Sequence, residues 1–177
     1  MALLTISGSV WAQAEKNMVT YTIDGGAFHH QLVNITYDSK MIRNGVRIRP
    51  GANYIKINLE DTSVSAEGEP IWFFNVAFNH LGTGTAKIND PITSPLPADD
   101  KQVNIRLGAL TNGNTKYMTT LIPDHAPTLN KTSGKITITR FGPVQGTIEG
   151  TFECKLIDEN LVIYTVTGGH FVVTRKS

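Results

Sequence analysis

Five histidines, one cysteine and a small group of loop acids are the side chains of this 177-residue sequence best suited to hold a metal or move a proton. The histidines are His29, His30, His80, His125 and His170. Adjacent residues of a strand point to opposite faces, so His29 and His30 cannot share one ion. A structural zinc site wants four ligands, usually in close-spaced pairs, and the spacing here offers none. Asp90, Asp99 and Asp100 fall within residues 89–101 and form a calcium candidate, because hard oxygen ligands suit that ion. They lack the spacing of an EF-hand, and solvated loop acids are the simpler reading. Pro123-Asp124-His125-Ala126-Pro127 sets an acid beside an imidazole. A carboxylate next to a histidine in sequence does not reach round to orient its ring, and no Gly-x-Ser-x-Gly elbow accompanies the pair. Cys154 has no second cysteine to pair with and no evident base, so it is expected to be a buried, inert thiol. No catalytic residue, cofactor or histidine metal site is assigned.

Binding chemistry is better represented. Saccharides lie on exposed aromatic rings beside polar groups, and Tyr21, Tyr37, Tyr54 and Tyr117 are available for this. Alternation places Tyr54 with Lys56, Asn58 and Glu60 on the polar side of its segment. Tyr54 and Tyr117 are therefore the ligand-binding candidates. Trp72 falls on an apolar face and belongs to the core. Arg43, Arg47 and Arg49 form the densest basic group, which reads as the decoration of an exposed strand. The net charge is +1 and charged residues are 18% of the chain, so the sequence lacks the basic footprint of a nucleic-acid partner.

The elements that must position these residues are strands. Residues 18–23 are β-branched and aromatic, and Asp24-Gly25-Gly26 is a turn before a second extended run at 28–37. Residues 54–60 alternate, with Ile55, Ile57 and Leu59 on one side. Residues 71–79 are apolar on both sides, which predicts a central strand covered on both faces. Residues 89–101 hold three prolines and three aspartates and form the longest loop. Strands at 103–107 and 115–122 flank an Asn112-Gly113 turn, and residues 123–133 are loop. In 147–157, Ile148, Gly150, Phe152, Cys154 and Leu156 face one way, while Thr147, Glu149, Thr151, Glu153 and Lys155 face the other. Gly168-Gly169 interrupts the last run, 161–175, as a bulge. With no amphipathic helix, about ten strands predict an antiparallel all-β sandwich, and a closed β-barrel is the alternative.

The opening segment predicts export. Residues 2–11 are mostly apolar and uncharged, and Ala12-Gln13-Ala14 supplies the small side chains that signal peptidase requires. Cleavage between Ala14 and Glu15 would leave residues 1–14 as a signal-peptide remnant and 15–177 as one β-sandwich domain. A basic start is missing, which places the true start upstream or makes the sequence a fragment. No stretch is apolar and long enough for a transmembrane helix, so a soluble periplasmic or secreted protein is expected.

The runs Gly134-Lys-Ile-Thr-Ile-Thr, Gly146-Thr-Ile-Glu-Gly-Thr-Phe and Val166-Thr-Gly-Gly-His-Phe-Val-Val resemble the C-terminal end of small exported bacterial β-sandwich proteins of unknown function. The resemblance implies the fold and the export and carries no catalytic residue. The lipid-anchor cysteine of some of those proteins has no counterpart at the cut. The expected function is a non-catalytic binding or surface-assembly module with a carbohydrate or protein partner; the alternative is a small exported hydrolase.

Overall fold

A computed structural model describes residues 17–38, 44–60, 71–94, 101–111, 114–120 and 132–177. The described elements are eleven strands. These are β1 (Asn17–Gly25), β2 (Phe28–Tyr37), β3 (Gly45–Val46), β4 (Ile55–Glu60), β5 (Ile71–Phe78) and β6 (Gly84–Lys87). They continue with β7 (Asn104–Thr111), β8 (Asn114–Thr119), β9 (Ser133–Phe141), β10 (Thr147–Ile157) and β11 (Ile163–Thr174). No helix among the described residues is long and apolar enough to cross a membrane.

The all-β expectation is met, and the pairings show how the strands are shared. β2, β1, β11, β10, β9 and β6 follow one another through antiparallel ladders, and β3, β4, β5, β7 and β8 form a second run. A single pair, Ile157↔Thr119, joins the runs where the end of β10 reaches β8. At the other corner Val46 bridges Arg175 in parallel, and Lys176 N–H donates to the Val46 carbonyl at 2.7 Å. The result is one large antiparallel sheet curled into a half-barrel.

Both runs turn their alternate residues inward onto one core. Phe74 of β5 lies 5.2 Å from Phe152 of β10 and 5.6 Å from Phe171 of β11, ring centre to ring centre. Tyr21 of β1 meets Phe152 at 6.0 Å. The facing predicted for β10 holds: Ile148, Gly150, Phe152, Cys154 and Leu156 are buried, and Thr147, Glu149, Thr151, Glu153 and Lys155 are not. Gly150 is there because Phe171 needs the space; a Cβ on it would stand 2.5 Å from the Phe171 ring and from the Thr137 carbonyl oxygen. The bulge expected at Gly168-Gly169 is present, as the β10–β11 register slips between Phe152↔Gly169 and Cys154↔Val166. Gly168 takes a φ of 61° there.

β5 departs from expectation. It is central, with β4 on one side and β7 on the other, but it is covered on one face only. Phe74, Val76 and Phe78 are buried, whereas on the other side Phe73 and Asn75 are partly exposed and Ala77 is buried. The Asn112-Gly113 turn lies outside the described residues, although Thr111 and Asn114 on either side pair directly. β2 pairs only with β1 among the described residues, bears no Lys, Arg, Asp or Glu, and exposes Leu32 to 72%.

Candidate functional site

The uncovered face of β4, β5, β7 and β8 is built in rows. Glu60, Phe73, Gly108 and Tyr117 stand opposite one another across the four strands. Because Gly108 has no side chain, the rings on either side of it meet: Phe73 and Tyr117 lie 4.9 Å apart at 49°. Tyr117 is 52% exposed. The next row is Asn58, Asn75, Arg106 and Thr119, all partly exposed and all able to hydrogen-bond. Two adjoining rings beside a polar row can offer a ligand both an apolar contact and hydrogen bonds.

One end of this face opens into a groove of about 430 Å³ lined by Arg47, Ile48, Arg49, Pro50, Tyr54, Lys56, Asn58 and Ser177. Lys56 and Asn58 belong to both groove and face, so the two are continuous. β3 forms the far wall: Gly45 pairs with Asn58, and Arg47 follows Val46 directly. The chain turns over residues 49–52, where Ala52 N–H donates to the Arg49 carbonyl at 2.9 Å, and Ile48 N–H donates to the main-chain oxygen of Ser177 at 3.0 Å. Positive charge is crowded here. Lys176 is pushed down by burial and then by the nearby Arg47, with Asp38 opposing the shift.

The tyrosine candidates separate sharply. Tyr117 is exposed, as a binding platform requires. Tyr54 is not the exposed ring expected from alternation: it is 7% exposed and packs in the core while forming part of the groove wall. Its burial in the core, and the groove that residues 47–50 and Ser177 form beside it, are not revealed by the local pattern around Tyr54. Tyr21 and Tyr37 are each 1% exposed and present no platform, because both fall on the inward side of their strands. Trp72 is partly buried against the core, 6.4 Å from Phe28, as its face predicted. Phe73 was missed; its signal was the polar Asn75 two residues on, which marks that side of β5 as open.

The titratable candidates do not gather into one site. His30 Nδ1 lies 3.2 Å from Asp24, with the histidine 84% exposed, and His29 is exposed beside it. His80 packs on Phe78 at 4.4 Å, its Nδ1 3.0 Å from Asn79 Oδ1. Asp90 accepts from Lys87 N–H at 2.8 Å, closing its own turn. Among the described residues no three His, Cys, Asp or Glu side chains are placed to hold a metal ion. Arg43, Asp99, Asp100, Asp124, His125, Ala14 and Glu15 lie outside the described residues. One acid–imidazole pair was not foreseen: His170 Nε2 lies 2.9 Å from Glu149 Oε1, both about one-third exposed at 34% and 37%. It borders a shallow hollow of about 220 Å³ that also includes Thr151 and the Lys135–Glu153 ion pair. No hydroxyl is hydrogen-bonded to this histidine among the described residues.

No family model matches the chain, and neither a curated protein nor a solved structure matches it.

Proposed function

We propose that this protein is an exported, non-catalytic binding module whose ligand is a carbohydrate seated on the open face of β4, β5, β7 and β8. The observation that carries this reading is the pair of exposed Tyr117 and partly exposed Phe73 beside a row of amide, guanidinium and hydroxyl groups. Such a face needs no moving parts, since its side chains stand on a rigid sheet. The mostly apolar, uncharged residues 2–11 and the Ala12-Gln13-Ala14 triplet support export, to the periplasm or beyond.

Thermal shift against a panel of oligosaccharides tests it, because a ligand at a hundred times its dissociation constant adds about 2.7 kcal/mol to folded stability. Tyr117→Ala should abolish the shift while lowering the unliganded stability by only about 0.5–1.5 kcal/mol, the cost of its ring pair with Phe73, so the fold stays intact. A ligand-induced shift that survives Tyr117→Ala would place the site elsewhere.

The hydrolase alternative rests on Glu149 and His170, where a carboxylate is in place to orient an imidazole. Turnover of ester or glycoside substrates that disappears in His170→Ala, with the fold intact, would replace the binding reading.

A further inference from the structure

The Phe73–Tyr117 row and the basic groove lie at opposite ends of one continuous surface. Along β4 they are separated by the four residues from Glu60 to Lys56, about 13 Å at about 3.3 Å per residue. Glu60 stands in the aromatic row, and Arg47, Arg49 and Lys56 line the groove. A ligand long enough to cover the surface therefore meets an acid at one end and a set of cations at the other.

We propose that the ligand is an acidic polysaccharide, its sugar rings on Phe73 and Tyr117 and its carboxylate or sulfate groups held in the groove by Arg47 and Arg49. This rests on the carbohydrate reading given above. Guanidinium groups are suited to the task, since their forked donors match the two oxygens of a carboxylate or the face of a sulfate. Arg47 and Arg49 are both exposed, so their donors reach a ligand lying across the mouth of the groove. The Ser177 main-chain oxygen on the groove wall is already taken up by Ile48 N–H. A nucleic-acid strand fits less well, because the chain has a net charge of only +1 and lacks the clustered basic face of a nucleic-acid binder.

Affinity electrophoresis of the whole chain in native gels is the test, with five embedded polymers. These are polygalacturonate, its fully methyl-esterified form, dextran sulfate, neutral dextran and a single-stranded oligothymidine. Polygalacturonate or dextran sulfate should retard the protein, and the one that does identifies the anion. Arg47→Ala with Arg49→Ala should weaken that retardation about tenfold or more, as should methyl esterification of the uronate polymer. Added salt should weaken it too. Tyr117→Ala should weaken binding to the acidic polymer as well, which bulk ion exchange on a cationic patch would not show. Equal retardation by the ester and the acid, unaffected by the double arginine change but lost in Tyr117→Ala, would overturn the acidic ligand and leave the carbohydrate reading standing. Retardation by none of the saccharides would overturn both. Oligothymidine binding as strong as that of either acidic polymer would overturn the polysaccharide in favour of a single strand.

Discussion

Burial pushes the Cys154 thiol up from its ordinary value of 9.0, and Glu153 beside it adds to the shift. Tyr21 is raised from 10.0 in the same way, first by burial and then by Cys154. In the folded chain both keep their protons at pH values where the unfolded chain has released them. The fold then binds more protons than the unfolded state, so stability falls as pH rises above these ordinary values. The urea midpoint should drop between about pH 8 and about pH 10.5, and Cys154→Ala should lessen the drop. A midpoint that does not move would mean that neither group is buried as described. The inert thiol was legible in the sequence, since Cys154 alternates with Phe152 and Leu156. The Glu149–His170 pair was not. It joins residues on two strands whose register slips at the Gly168 bulge, and no count along the sequence fixes which residue faces which after a slip.

Among the elements, β10 shows how far alternation reaches. Its two faces were readable residue by residue because one side is apolar and the other charged. Gly150→Ala tests the packing that alternation cannot show. It should cost about 1–3 kcal/mol in a urea melt by forcing Phe171 or the β9 backbone aside. Glu153→Ala, on the opposite face, should stay within about 0.5 kcal/mol, since its Lys135 partner at 3.1 Å is more than half exposed. Equal costs would invert the facing of the strand. β3 and β6 escaped notice for a different reason. Gly45–Val46 and Gly84–Lys87 are short, glycine-bearing edge pieces without alternation, and only their partners β4 and β9 make them strands. β5 misled through composition: Ile71, Phe73 and Ala77 look like a second buried face, yet Phe73 belongs to the open surface that forms the candidate site.

At the scale of the molecule, the strand content was plain but the routing was not. β10 is shared between β9 along most of its length and β8 at its last residue, and the C-terminal Arg175 closes against β3. Those links join segments far apart in sequence, which is also why the groove beside Tyr54 was invisible: its walls come from residues 47–50, 54–58 and 177. The terminal strands carry a mechanical consequence. Asn17 begins β1, and its Oδ1 accepts from Thr174 N–H at the end of β11 at 2.7 Å. The antiparallel register then runs from Met18↔Val172 to Asp24↔Thr165, so the chain enters and leaves this pair of strands at one pole. A pull applied at positions 17 and 175 loads the ladder like a zipper, breaking its hydrogen bonds one after another. A pull at 17 and 163 loads the same bonds together, in shear. In an optical trap the first attachment should open the protein at clearly lower force than the second, and a tether through the two flanking segments would make the β1–β11 seam the part that yields first.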